Sequence, residues 1–379
     1  MAFPFETPYI RALGASPFVI GLIGSLGYLV LTIVRIPGAY IADRYGRKQI
    51  IVTMTFAVAI SYLFYALAPD WRFIVIGAVL VNLCLIYQPA LEAITADSIP
   101  PEKRGMGFAM TGVIPSIPTI ISPLVAGYII STYDIVLGMR IVYIIIVGLS
   151  LAAAMIRLLY LKETIDKPRP LKLSEIKTVY KESINSIIEA WRTIPKNLKI
   201  LTVILMISSF EDPVFRQFSA LYVLDVIGAT DFEWGIAMTV LTITTLLVGI
   251  PLGKVVDVLG RKTSIILAYL IFIPSTLVFI YARSFIELII VMVIFGFGSM
   301  MIGPAFQALI TDMVPRSKRG RIMGVIGSLN IIMMIPASAI AGFLYEFNPA
   351  YPFQLTIVLG IFTSIVVYLF IKEPIKREE

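Results

Sequence analysis

Histidine is absent from all 379 residues, and cysteine occurs once, at Cys84. Without histidine the chain lacks the side chain that titrates near neutral pH and the commonest metal ligand. Any proton it carries must therefore ride on carboxylates. A single cysteine excludes an intrachain disulfide and leaves the redox compartment undetermined. Charge is scarce as well: 15% of residues are Asp, Glu, Lys or Arg, against about 25% in a soluble domain. No Gly-xxxx-Gly-Lys-Ser/Thr string is present, which excludes ATP drive by this chain through a P-loop. With no Ser-His-Asp set and no cluster of metal ligands, neither an enzyme nor a cofactor is expected.

Apolar residues are abundant instead. They make up 58% of the chain, and the mean hydropathy is +0.92. Runs of about 20 apolar residues are long enough to cross the hydrocarbon core as helices, and lipid leaves no partner for unpaired backbone groups. The spacing predicts eleven spans, at about 18–42, 49–68, 72–96, 106–131, 138–161, 199–226, 232–255, 263–282, 286–311, 321–345 and 351–372. The fold class is an all-helical polytopic membrane protein. The net charge of +7 follows topology and not nucleic acid, because 24 of the 31 Lys and Arg fall in loops of one side, the middle segment and the tail. The positive-inside rule places those parts in the cytoplasm, in the plasma membrane.

The chain also repeats itself. IPGAYIADRYGRK (36–48) returns as IPLGKVVDVLGRK (250–262), and PALEAITADSIPPEKRG (89–105) returns as PAFQALITDMVPRSKRG (304–320). The offsets are 214 and 215, so the unit is half a protein. Long internal repeats in a membrane chain mark transporters whose site lies between the halves. The division predicted is 1–161 for a first bundle, 162–198 for a cytoplasmic linker and 199–379 for a second bundle. In the linker, Ile184, Ile187, Ile188 and Trp191 fall at helical spacing, which predicts an amphipathic helix on the membrane surface. GASPFVIG (14–21) matches GATDFEWG (228–235), so residues 1–13 correspond to 215–227. The first helix is then incomplete, which a misassigned start or a genuine loss would both produce.

Charges inside spans are costly and mark function by default. Glu211, Asp212 and Arg216 lie in the helix that opens the second half. Glu211 is roughly 18 Å into that span at 1.5 Å per residue, and Pro213 should break or kink the helix beside it. An ion pair from Asp212 to Arg216 is the structural alternative. Arg35 and Glu92 lie inside the cytoplasmic ends of their spans, as a counter-charge pair or as groups reaching the interface. Glu6 falls toward the outside and has no reading from sequence.

The loop AYIADRYGRK resembles the signature loop of the major facilitator superfamily, whose pattern runs Gly-x-Leu-Ala-Asp-Arg-x-Gly-Arg-Lys. Asp43, Arg44, Gly46, Arg47 and Lys48 match it; in the second copy Asp257, Gly260, Arg261 and Lys262 match, with Val258 in place of the arginine. The acids could satisfy free amides at a neighbouring helix N-terminus. Arg47 suits Asp97, and by symmetry Arg261 suits Asp312; Gly46 and Gly260 permit tight reversals. The resemblance implies that these contacts hold the lobes together on the cytoplasmic side and break as the protein turns inward. It also implies that Asn82, Tyr87 and Gln88 line a central cavity, with Asn330 a weaker candidate.

Two features common in proton-coupled and drug-exporting relatives are missing: an arginine in the body of the family's fourth helix and a Gly-Pro-x-x-Gly-Gly run in the fifth. The expectation is a monomeric secondary transporter in the lipid bilayer that moves a small-molecule substrate by alternating access. Proton-coupled efflux leads, ahead of a metabolite permease or a non-transporting sensor or lipid handler on the same scaffold.

Overall fold

The computed structural model describes residues 2–44, 46–100, 104–165, 176–314 and 319–371. The first half holds α1 (Glu6–Ala12), α2 (Pro17–Arg44), α3 (Arg47–Ala66), α4 (Trp71–Cys84), α5 (Gln88–Ser98), α6 (Arg104–Tyr133) and α7 (Ile135–Tyr160). A surface helix, α8 (Ile176–Thr193), leads to the second half: α9 (Lys196–Ser208), α10 (Glu211–Tyr222), α11 (Asp231–Leu259), α12 (Arg261–Tyr281), α13 (Phe285–Asp312), α14 (Arg319–Phe347) and α15 (Tyr351–Phe370).

Ten stretches among the described residues are long and apolar enough to cross a membrane. The remaining expected span, 199–226, is split into α9 and α10. Pro213 has no N–H to give the carbonyl of Ser209, four residues back, and Phe210 N–H bonds instead to Ile207 O at 3.1 Å. The 72–96 span is interrupted for the same reason. A 3-10 turn at Leu85–Tyr87 precedes Pro89 and separates α4 from α5.

The repeat extends to the helix caps on the side opposite the Gly-Arg-Lys loops. The Ser16 hydroxyl accepts from Val19 N at 3.4 Å, and Thr230, 214 residues later, accepts from Glu233 N at 3.2 Å in a full capping box. Asp70 caps α4 through Arg72 N, and its counterpart Ser284 caps α13 through Glu287 N. Asp134, at φ 73°, caps α7, and its counterpart Asn348 accepts from Ala350 N at the start of α15. A polar side chain at each of these points satisfies amides that a helix cannot pair itself.

The two bundles meet along two seams, α2 with α14 and α6 with α11. Both seams close on the outer side, away from the basic loops, and both rest on glycine. A Cβ on Gly342 would lie 2.6 Å from Pro17 O and 3.0 Å from the Cα of Gly21; one on Gly235 would lie 2.7 Å from Pro123 O and 3.5 Å from the Cα of Gly127. Gly21 and Gly235 are repeat counterparts, as are Gly127 and Gly342. The two seams are therefore one contact used twice, about a two-fold axis between the halves. Helix α8 lies across the basic-loop side against α2 and α14, and its Tyr180 hydroxyl donates to Ile33 O at 2.8 Å.

Candidate functional site

On the basic-loop side the bundles part. A cavity of about 670 Å³ opens there, lined by Arg35 and Glu92 from the first bundle and by Ser208, Ser209, Gln307 and Asn330 from the second. Its lining reaches Ile310, in the last turn of α13, and Met323, in the second turn of α14. A deeper cavity of about 440 Å³ sits against the first bundle, lined by Glu6, Tyr28, Tyr62, Asn82, Gln88 and Arg216 among others. A pocket of about 50 Å³ shares Arg35 and Glu92 with the first and Leu31, Leu85 and Gln88 with the second. The three form one polar path from the basic-loop side to mid-depth.

The path stops at the outer seams. Ser338 Oγ sits between Gly21 O at 2.7 Å and Gln217 Oε1 at 2.8 Å, and Ser25 Oγ donates to Ile335 O at 2.6 Å. The Trp234 indole N–H donates to Pro4 O at 2.8 Å, and Phe18 N–H donates to Glu346 Oε1 at 3.1 Å. Arg11 pairs with Asp225, which also accepts from the Tyr345 hydroxyl at 3.4 Å. Arg11 and Asp225 are 214 residues apart, the repeat offset, so one position of the repeat carries opposite charges in its two copies. They meet where the axis between the halves passes.

The charged residues singled out from sequence divide between these places. Arg35 and Glu92 face the larger cavity together, and Arg35 reaches Gly327 of the other bundle, whose added Cβ would lie 3.9 Å from a guanidinium nitrogen. Asp212 and Arg216 approach to 3.9 Å, and the Arg216 guanidinium lies 4.4 Å from the centre of the Phe3 ring. Glu211 is buried, lines neither large cavity, and its Oε1 has no hydrogen-bond partner. Asn82 and Gln88 line the deeper cavity, and Asn330 lines the larger one with its Oδ1 unpartnered. Tyr87 turns away: its ring packs on Ile51, Ala90 and Ile94 and carries the Arg157 guanidinium at 5.5 Å.

At the loops, Gly46 and Gly260 adopt φ of 95° and 88°, conformations that favour glycine. Arg47 bonds Asp97, and Arg261 Nε lies 3.3 Å from Asp312. Both pairs join helices of a single bundle, α3 to α5 and α12 to α13, where the resemblance implied contacts between lobes. They are formed in a structure whose outer side is sealed. The side chains of Asp43, Arg44 and Asp257 lie outside the described residues. Lys48 offers its backbone N–H to Glu163, and Lys262 Nζ donates to Tyr368 O at 2.7 Å.

The placement of two acids was not legible from sequence. Glu6, in the first turn of α1, lines the deeper cavity, as does Arg216. The other is Glu163, just past α7. It does for α3 what a loop acid was expected to do for a neighbouring helix. Its carboxylate accepts from Arg47 N at 3.2 Å and Lys48 N at 3.0 Å, and from the N–H groups of Thr164 and Ile165. Partial burial pushes its carboxyl up, but these four donors outweigh it and hold it below the ordinary glutamate value. A carboxyl held low stabilises the fold above its unfolded value and loses that contribution as pH falls through its folded value. Glu163→Gln is therefore expected to cost about 0.5–1 kcal/mol at pH 7, the range of an exposed helix cap. The cost should vanish in acid. Melting curves of both proteins from pH 7 to pH 3 check this; a difference that persists in acid would rule the cap out.

A sequence model of the Major Facilitator Superfamily matches residues 1–215 and again 214–379. An uncharacterised MFS-type transporter of Methanocaldococcus jannaschii is 23% identical over 373 residues, covering 97% of this chain and 89% of that one. The multi-drug resistance efflux pump PmrA of Streptococcus pneumoniae is 23% identical over 333 residues, 85% of this chain and 79% of the pump. Among solved structures, a bacterial homologue of the human lysosomal transporter Spinster, inward-facing and unoccupied, superposes with a TM-score of 0.74 at 17% identity, covering 97% of this chain and 92% of that one. The nucleoside transporter NupG superposes with a TM-score of 0.75 at 15% identity, covering 97% and 94%.

Proposed function

Because the chain belongs to the Major Facilitator Superfamily, we propose that it is a secondary transporter that exports a small solute by alternating access, driven by protons. One observation carries the reading. A polar path runs from the basic-loop side to mid-depth between two related bundles, and glycine seams close it on the far side. With the Gly-Arg-Lys loops in the cytoplasm, by the positive-inside rule, this is an inward-facing state ready to take solute from the cell. Rocking the bundles about the two seams would close the inner cavity and open the outer side.

The walls suit a polar or amphipathic solute. Arg35 and Glu92 stand at the mouth, Glu6 and Arg216 stand deeper, and Tyr28, Tyr62 and Phe3 supply apolar surface between them. Such a lining argues against lipid handling, which needs a dry cavity. Proton drive draws on the carboxylates that reach mid-depth in a chain without histidine, and export draws on the named activity of the pneumococcal relative. The protein is expected to act as a monomer in the plasma membrane, with residues 162–198 tethering the bundles on the cytoplasmic side.

The test is transport by the purified protein in vesicles across a panel of drugs and metabolites, with and without an imposed pH gradient. At least one solute should move against its own gradient, and a protonophore should abolish that movement. Equal rates with and without the gradient would sink proton coupling and leave a facilitator.

A further inference from the structure

Pro37 interrupts the hydrogen bonding of α2 without ending the helix, which runs on to Arg44. A proline has no N–H for the carbonyl four residues back, and here that carbonyl is Ile33 O. A backbone carbonyl freed in a membrane helix needs a donor from elsewhere. It has one: the Tyr180 hydroxyl donates to Ile33 O at 2.8 Å. The donor comes from neither bundle. Tyr180 lies in the first half of α8, the helix of the segment that joins them.

The far end of α8 belongs to the second bundle. Trp191 packs on the cluster that holds Ile194, Leu198, Leu201 and Ile265, and the Lys199 ammonium of α9 lies 5.8 Å from the centre of its ring. The helix between Tyr180 and Trp191 is about 16 Å long at 1.5 Å per residue. A stiff rod therefore runs from the core of one bundle to the backbone of the other, against α14 and α2. It does so where the bundles part. Arg35, two residues beyond Ile33, lines the larger cavity from the first bundle, and Gly324 and Gly327 of α14 line it from the second. Helix α8 packs on this seam and not on the seam of α6 with α11, so the two-fold equivalence of the seams ends here.

We infer that α8 braces the inward-facing state, and that the Tyr180 hydroxyl on the carbonyl freed by Pro37 is its latch. This rests on the reading of the protein as an alternating-access transporter. Closing the inner cavity draws the basic-loop ends of α2 and α14 together. A rod anchored at Trp191 cannot follow both walls, so the Tyr180 hydroxyl must leave Ile33 O. Before any other residue that carbonyl would fall back on an N–H of its own helix. Before Pro37 it is stranded, and an acceptor left without a donor in an apolar setting is costly. The proline thus makes this bond hold harder than an ordinary surface tyrosine contact. The brace biases the protein toward the state that takes solute from the cytoplasmic side.

The test needs no known substrate. In the full chain, with Cys84 replaced by serine, two reporters are labelled by a membrane-impermeant maleimide. Thr7→Cys, on the wall of the deeper cavity, reports from outside in right-side-out vesicles. Gly324→Cys, on the wall of the larger cavity where an added Cβ meets nothing within 4 Å, reports from the cytoplasmic side in inside-out vesicles. Tyr180→Phe keeps the ring and loses the donor. It should speed outside labelling about threefold or more and lower the inside rate; an unfolded protein would label faster from both sides. Pro37→Ala gives Ile33 O a partner in its own helix, so adding Tyr180→Phe to it should change neither rate. A wild-type outside rate in Tyr180→Phe overturns the inference. So does an equal effect of Tyr180→Phe in the Pro37→Ala background, because the freed carbonyl is then not what the hydroxyl holds. Wild-type protein whose Thr7→Cys never labels from outside overturns alternating access itself, and this inference with it.

Discussion

Valine at Gly342 is expected to pry the outer seam open and cut transport about tenfold or more. The reason is that the atoms in its way are backbone. A Cβ there would lie 2.6 Å from Pro17 O and 3.0 Å from the Cα of Gly21, and neither can swing aside as a side chain would. Overpacking of this kind costs about 1–3 kcal/mol, and about 1.4 kcal/mol is a tenfold change in an equilibrium. The cost falls only on the state with the seam closed, so the protein is driven toward the outward-open state. The measurement is labelling by a membrane-impermeant thiol reagent added outside, with Cys84 replaced by serine and Thr7, on the wall of the deeper cavity, replaced by cysteine. Gly148→Val is the control, because nothing lies within 4 Å of a Cβ added there. Equal outside labelling in the two variants would mean that the glycine contact does not set the seam.

Reversing one charge of the Arg11–Asp225 pair is expected to open the outer side electrostatically, and exchanging both charges to close it again. Neutralisation is the weaker experiment. The two side chains are 42% and 35% exposed, and exposed pairs contribute at most about 1 kcal/mol, so Asp225→Asn should change outside labelling no more than about fivefold. Asp225→Arg replaces attraction by repulsion and should exceed that. Because the two residues occupy one repeat position in its two copies, Arg11→Asp with Asp225→Arg restores the same geometry and should restore wild-type labelling. Salt separates the two predictions. Screening acts over about 10 Å at 0.1 M and about 3 Å at 1 M, so the effect of Asp225→Arg should fade at high salt, whereas the effect of Gly342→Val should not. A double exchange that labels like the single reversal would show that the pair is incidental to the seam.

The glycine seams and the ion pair illustrate how unevenly this protein could be read in advance. Gly21 and Gly235 sit inside the matched strings GASPFVIG and GATDFEWG, so their equivalence was visible. Their meeting with Gly342 and Gly127 was not, because it joins helices more than 100 residues apart. Tyr87 shows the same limit. Its place in the helix was foreseen and its direction was not, because a span apolar all round carries no stripe that tells inside from outside. Packing alone turned it toward Arg157, while Gln88 beside it turned to the cavity.

What the chain's order of residues determined by itself was local or repetitive: membrane helices from apolar runs, the break before Glu211 from Pro213, the loop reversals at Gly46 and Gly260, and two related halves from one offset. Each follows from a rule that acts within a few turns of backbone or from direct self-comparison. Tertiary structure alone decided that Glu6 and Arg216 share a cavity, that Glu163 caps α3, that Arg11 meets Asp225, and that Glu211 looks into the second bundle. Those outcomes depend on the rotation of each helix about its axis and on its neighbours. In a membrane both are set by close packing of side chains and not by hydrophobic burial.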